Sequence, residues 1–420
     1  MARQYVRQID NTRTELLDQR ELFVQKGKGG ARYYSTWLHD PEVAYCPYCG
    51  SKAFKTQDLF SKTYLDLILD EGKKKVIQLV YEFHKYKCLR PECGRVFSKP
   101  VHFASRRDNV TFRLENEIAR LVIRGLTYSQ VAAQLNGELS RQAVGQIFCR
   151  WVKEKENHRR AVSLPSKLLI ISGRSKHGTY TAFLNLDEGI KIYDIIDGVS
   201  SGDISAVLLK NGPPKTETVL SDCNPTIVDT IRNCLPNALH IIPVEYWFLL
   251  VKEDFAAFAH DRLLRTTVKN KDVLIMTPPS ELAHRTSDLR KLFENRPNIK
   301  RPYEDFNRLR STVFRRDEMW VYNELLEWFD SVDPAFLEAL SATKLQLEEY
   351  RQPIEAHSEH RDFVPENLLG LTSRLEKILA DMNVFSDAVL KARILYPFET
   401  DLDHWSGIPL EDVISFLANK

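Results

Sequence analysis

The sequence predicts a multidomain α+β chain, and three observations carry that prediction. Two close cysteine pairs bracket strand-like text near the N-terminus. Short, capped helical segments follow them. Beyond residue 166, three apolar strands lead into alternating helices and strands. At 420 residues the chain exceeds one typical domain, and 43% hydrophobic residues can fill several cores. The expected divisions are an arm (1–42), a cysteine-bearing hairpin (43–103), a helical unit (110–160), an α/β core (166–260), a helical insertion (261–370) and closing C-terminal helices (371–420).

Charge divides the chain unevenly. Residues 1–164 hold 29 Lys+Arg against 18 Asp+Glu, and the remainder holds 30 against 39. A basic first third points to a polyanion such as nucleic acid. No apolar run reaches the about 18 residues of a membrane span, and the first residues lack the apolar stretch of a signal peptide. The expected location is the cytoplasm, in association with the nucleoid. Seven cysteines without a secretory signal argue against a disulfide framework.

Cys46 and Cys49 stand in "CPYCGS", and Cys88 and Cys93 in "KCLRPECGRVF". Such gaps let two short loops aim four thiolates at one tetrahedral zinc. Gly50 and Gly94 directly follow the second cysteine of each pair, where the backbone must turn sharply. Between the pairs, Ile77, Leu79, Tyr81 and Phe83 alternate with mostly polar neighbours, and Glu71-Gly72 reads as a hairpin turn. The expectation is a zinc ribbon with a closed, structural site, His84 being a strand residue rather than a ligand.

Next comes a three-helix pattern. Leu114, Ile118, Leu121 and Val122 mark the apolar stripe of the first helix, which Gly125 ends. Thr127 with Gln130 forms a capping box opening a short second helix. Asn136-Gly137 reads as a turn, and Ser140 caps the third helix. This is the order of a helix-turn-helix, whose last helix enters the major groove of double-stranded DNA. Arg141, Gln142 and Gln146 are the expected base readers, and Arg150 and Lys153 the expected phosphate contacts.

The core is expected to run strand 168–172, strand 180–186, strand 191–197, helix 202–210, strand 216–221, helix 225–234, strand 238–244, then helix. Asp187-Glu188-Gly189 turns the second strand into the third, and Pro225 suits the first turn of its helix. The order is that of a ribonuclease-H-like core with a mixed sheet. In such folds carboxylates hold two divalent metals for phosphoryl transfer. One acid belongs on the first strand, one at the end of the fourth, and one on a later helix.

From about residue 43 onward the chain resembles the ISL-three group of insertion-sequence transposases. The resemblance rests on the cysteine ribbon with "FSKP" after it, the helical unit, and "VLSDCNPTIVDTIRNCLPNALHIIPVEYWFLLVK". It implies DDE chemistry with magnesium or manganese, terminal inverted repeats as the DNA partner, and a homodimer. It also implies Asp222 as the second catalytic aspartate. The first, in the family's "GIDE", falls on Ser172, with Gly173 at the following glutamate. The family's "DRFH" stands here as "YWFL", with Tyr246 at the aspartate and Glu245 beside it. Glu376 is the weak match to the third acid, in a segment lacking the family's Gly and Asn. Asp187, Glu188 and Asp194 are other acids nearby in sequence, placed at a turn or on a different strand.

A neutral serine is a poor metal ligand, so the expected function is sequence-specific DNA binding without efficient cleavage, by a transposase-like chain whose catalytic site is degenerate. The alternatives are an active transposase, or a helical scaffold using the acidic C-terminal half. Residues 278–302 read as a polar, proline-bounded loop in which Arg285, Arg290 and Lys291 are the basic candidates, and 397–420 as a helical tail.

Overall fold

The computed structural model describes residues 43–418 except 71–72, 99–102, 105–108, 136–138, 160–162, 177, 211–214, 265–267, 283–284, 316–321, 383–385, 399–401 and 403. Before residue 43 it describes the backbone of three strands only: β1 (Arg3–Gln4), β2 (Leu22–Gly27) and β3 (Gly30–Ser35). The expected turns at 71–72 and at 136–137 lie outside the described residues, as does most of the expected arm. Two compact units divide the chain, 1–157 and 158–420.

In the first unit β4 (Phe54–Asp70) and β5 (Lys73–Cys88) form a long antiparallel hairpin. The short β6 (Val96–Phe97) joins β5 beside the second cysteine pair, and β3 pairs with β5 at Tyr33 and Tyr34. Tyr64, Leu79 and Tyr81 pack under Phe103, as the period of two requires.

Three helices follow: α1 (Phe112–Ile123), α2 (Tyr128–Gln134) and α3 (Arg141–Arg159). Leu114, Ile118, Leu121 and Val122 are all buried, and the Thr127–Gln130 capping box is complete. Asp66 of β4 ties the hairpin to α1. It is 1% exposed, accepts from Thr111 Oγ1 at 2.6 Å and forms an ion pair with Arg113. A charge this deeply buried is tolerable only because it is paired and hydrogen-bonded.

The second unit contains a six-stranded sheet in the order β11-β10-β7-β8-β9-β12. Its first three strands are β7 (Lys167–Ser175), β8 (Gly178–Asn185) and β9 (Lys191–Asp197), each antiparallel to the next. After α4 (Ser201–Leu208), β10 (Thr218–Ser221) returns parallel to β7 on its other side. Then α5 (Pro225–Cys234) leads to β11 (Leu239–Ile241), parallel to β10. The sheet therefore grows in both directions from β7, and loops leaving β7 and β10 diverge there into a crevice.

A helical body grows from α6 (Val244–Leu263), whose Trp247 and Phe255 are fully buried. Round it lie α7 (Lys271–Met276), α8 (Thr286–Asn295), α9 (Lys300–Val313), α10 (Tyr322–Ser331), α11 (Pro334–Ala339), α12 (Ser341–Glu349) and α13 (Arg351–Glu359). The expected loop at 278–302 is corrected by α8. Leu289, Leu292 and Phe293 give it an apolar side, and the bounding prolines sit at helix starts rather than in a loop.

Two helices, α14 (Leu368–Asp381) and α15 (Asp387–Leu395), pack back on β7 and β9. The expected helical tail carries a short strand as well as its helix. Ahead of α16 (Leu410–Ala418), β12 (Ile408–Pro409) pairs with β9 and extends the sheet. No helix among the described residues is long and apolar enough to cross a membrane.

Candidate functional site

Polar residues stand at the carboxyl ends of β7 and β10. Ser221 ends β10 opposite Ile170 of β7, so Asp222 and Ser172 lie just beyond that pairing. Ser172 donates twice to one oxygen of Asp222, from its N–H and its Oγ, each at 2.6 Å. The other carboxylate oxygen accepts from Asn224 N–H at 3.0 Å. Asn224 Nδ2 in turn donates to Ser172 Oγ at 3.3 Å, and its side-chain oxygen caps α5 by accepting from Thr226 N–H. Asn224 is thus the helix cap, which leaves Asp222 for the serine. Burial pushes the Asp222 carboxyl up, and the bonds from Ser172 and Asn224 oppose that shift.

A cavity of about 620 Å³ opens over this group. Ser172, Asp222 and Glu376 all line it, so the fold gathers the three positions singled out in the sequence. Glu376 stands exposed on α14. The sequence reading missed Glu253 of α6 and Gln346 of α12, which line the same cavity. Gln346 Nε2 donates to Cys223 O at 2.6 Å, bringing the helical body to the sheet end.

Two tyrosines form part of the wall. Burial raises the Tyr180 hydroxyl, as do the charges of Glu376 and Asp222. Tyr246 is raised mainly by burial and donates to Thr372 Oγ1 at 3.4 Å, so it closes the cavity rather than supplying charge. Tyr180 stands directly across from Gly173, where a Cβ would come within 2.7 Å of ring carbon Cε1 and closer still to the hydroxyl. Gly173→Ala should therefore cost about 1–3 kcal/mol, read as a lower urea midpoint at unchanged slope.

The other nearby acids are engaged. Asp187 accepts from Ser166 and Lys167, Glu188 pairs with Lys191, and Asp194 forms a buried ion pair with Arg159 at 2.9 Å. Glu245 lines a different cavity, with His357 and Arg361.

In the first unit Cys46, Cys49, Cys88 and Cys93 converge, their sulfurs all within 4.8 Å of one another. Each pair sits on a tight turn. Gly50 N–H donates to Cys46 O at 2.9 Å, and Gly94 N–H to Arg90 O at 3.0 Å. Both glycines have positive φ, of 70° and 54°, as the turns require. Four thiols so placed fit a metal such as zinc. Among the described residues they are the one group of three or more metal-ligating side chains gathered so closely. The carboxylates round the cavity are not, and both Asp222 oxygens already accept from neutral donors.

On α3 the apolar side is Val144, Ile147, Phe148 and Val152, all buried. Gln142, Gln146 and Lys153 are exposed at four- and seven-residue steps, and Arg141 is exposed at the first turn. Gly145 lets α3 approach α2 closely, since a Cβ there would lie 3.0 Å from the Tyr128 ring. Arg150, expected as a phosphate contact, donates to buried Glu115 of α1, from Nε at 3.2 Å.

Residues 171–364 match a family model described as Transposase, that of the ISL-three group of DDE transposases. The match begins beside Ser172 and includes Asp222 and the helical body. Glu376, the cysteine hairpin and the three helices lie outside it. No curated protein matches the chain.

Proposed function

From the match of residues 171–364 to the ISL-three transposase family model, we propose that the chain is a transposase-like protein that binds a specific DNA site without cleaving it efficiently. The observation that carries the proposal is the bond from Ser172 Oγ to Asp222. The sheet order, with β7 flanked by β8 and β10, supports a ribonuclease-H-like core in which these positions would hold metal. Here a neutral hydroxyl stands at one of them and occupies the carboxylate at the next.

The DNA-reading role falls to α1–α3, read as a helix-turn-helix. Arg141, Gln142 and Gln146 offer donors and acceptors suited to base edges, and Lys153 a cation for phosphate. Zinc, held by Cys46, Cys49, Cys88 and Cys93, would act structurally by crosslinking the base of the ribbon. The natural partners are terminal inverted repeats or a site derived from them, bound by a homodimer in the cytoplasm, at the nucleoid.

The first test incubates the full chain, with magnesium or manganese, with duplex carrying a candidate terminal repeat. Tight binding without nicking or joining is the expected result. Cleavage that disappears in Asp222→Ala would overturn it and favour an active transposase. The observation on that side is that Asp222, Glu253 and Glu376 share one cavity. Arg141→Ala should lose about 1–3 kcal/mol of binding and relax preference at one base pair. An equal loss on every duplex would reassign Arg141 to the backbone.

A further inference from the structure

The ribbon hairpin has a second face, turned away from the thiols. Tyr86, Cys88 and Phe97 pack together with Cys46 on one side of the sheet. The alternate positions of β5 run along the other side: Leu79 and Tyr81 are buried, Phe83 and Lys85 half-buried, and Lys87 exposed. Opposite them on β4, Tyr64 is buried, Lys62 and Phe60 half-buried, and Lys55 exposed. Phe103 covers the aromatic end of this face. The end nearer the cysteines is open.

The open end is cationic in an unusual way. Lys55 and Lys87 are direct cross-strand partners. Like charges placed so weaken a sheet. Neither lysine meets a carboxylate, and both are exposed. The Lys85 ammonium lies 3.9 Å from the centre of the Phe60 ring, which stacks on Phe83 at 6.2 Å. Lys62 lies over Tyr64 at 4.7 Å. A ring face, not an acid, holds Lys85, so its charge is oriented but not neutralised.

We propose that this open face is a second contact with duplex DNA, made to the phosphate backbone and separate from α3. It rests on the DNA-binding reading above. Charge selects the occupant: Lys55, Lys85 and Lys87 share an open face, and a polyanion relieves the Lys55–Lys87 repulsion that the fold leaves standing. The rings back the lysines instead of offering themselves. Lys85 covers the Phe60 ring on which an unpaired base would have to stack, which favours phosphate over single strands. Backbone contacts of this kind add affinity and register without reading sequence.

The test compares the full chain with a Lys55→Ala/Lys87→Ala variant on labelled duplexes from about 50 to 200 mM salt. Each lost phosphate contact should flatten the slope of log affinity against log salt by about 0.9, so about two units are expected to go. Affinity should fall at least about tenfold near 150 mM, equally on specific and unrelated duplexes. Thermal stability should hold or rise, because facing like charges have been removed. Lys85→Ala should flatten the slope by about one unit. Full-chain binding with an unchanged slope in both variants overturns this inference alone. So does an unchanged slope accompanied by loss of a dimer, which would make the face a protein contact. A full chain that binds no duplex at any salt sinks the DNA-binding reading, and this inference with it.

Discussion

Cys88→Ser should abolish metal retention and unfold the cysteine end of the ribbon. Cys88 is 1% exposed at the end of β5, paired across the hairpin with Phe54. The apolar cluster there has four buried residues, two of them cysteines, with Val43, Cys49, Phe54 and Cys93 packed against it. So small a core cannot order the knuckles alone. Structural zinc supplies about 10–16 kcal/mol in such sites, and a serine cannot replace a thiolate. The loss should stop short of the whole hairpin. At its far end Asp66 is clamped by Arg113 and Thr111, and Tyr64 and Tyr81 lie under Phe103. Proteolysis should therefore cut first near Phe54 and Tyr86 and spare α1. A chelator should reproduce the pattern in the unaltered protein. A variant that releases no zinc on denaturation yet keeps its ribbon protected would show that the thiols pack without a metal.

What could be read from the sequence follows the range of the interactions involved. The cysteine spacing, the Thr127–Gln130 capping box and the apolar stripe of α1 are local patterns, and each appears where the spacing placed it. The runs that became β7, β8 and β9 were legible because buried strands are apolar almost throughout. Long-range pairings were not legible. Arg150 reads as a free cation until Glu115, 35 positions away, is seen to take it. Asn224 carried a signal, since Asn before Pro is a helix cap, but its bond to Ser172 spans 52 positions. Glu253 and Gln346 reach the cavity only because the helical body folds back onto the sheet end. Polar text between prolines looked like loop at α8, where Leu292 is wholly buried against other helices.

Ser172→Asp should convert a closed polar cluster into a metal-responsive one. In the present chain the Asp222 carboxylate is satisfied by one hydroxyl and two N–H donors. Replacing the hydroxyl by a second carboxylate removes a donor and sets two anions side by side, where burial already pushes Asp222 up. Like charges that close cannot both ionise freely, so one proton is retained in the folded state. A carboxyl raised in the folded state favours folding at low pH, and that contribution is lost as pH rises above the ordinary carboxylate value. Without metal the variant should be less stable than the parent by about 2 kcal/mol at neutral pH, and should recover as the pH falls. A divalent cation reverses the sign, because it removes the repulsion that the proton had relieved. At about 100 times its dissociation constant, manganese should add about 2.7 kcal/mol. The parent chain, with its carboxylate already occupied, should not respond. Urea midpoints of both proteins with and without manganese decide the matter. A variant deaf to manganese would mean that more than Ser172 separates this site from a working one. A parent stabilised by manganese, and no longer so after Asp222→Ala, would mean that the site binds metal as it stands and that the serine is one of its working parts.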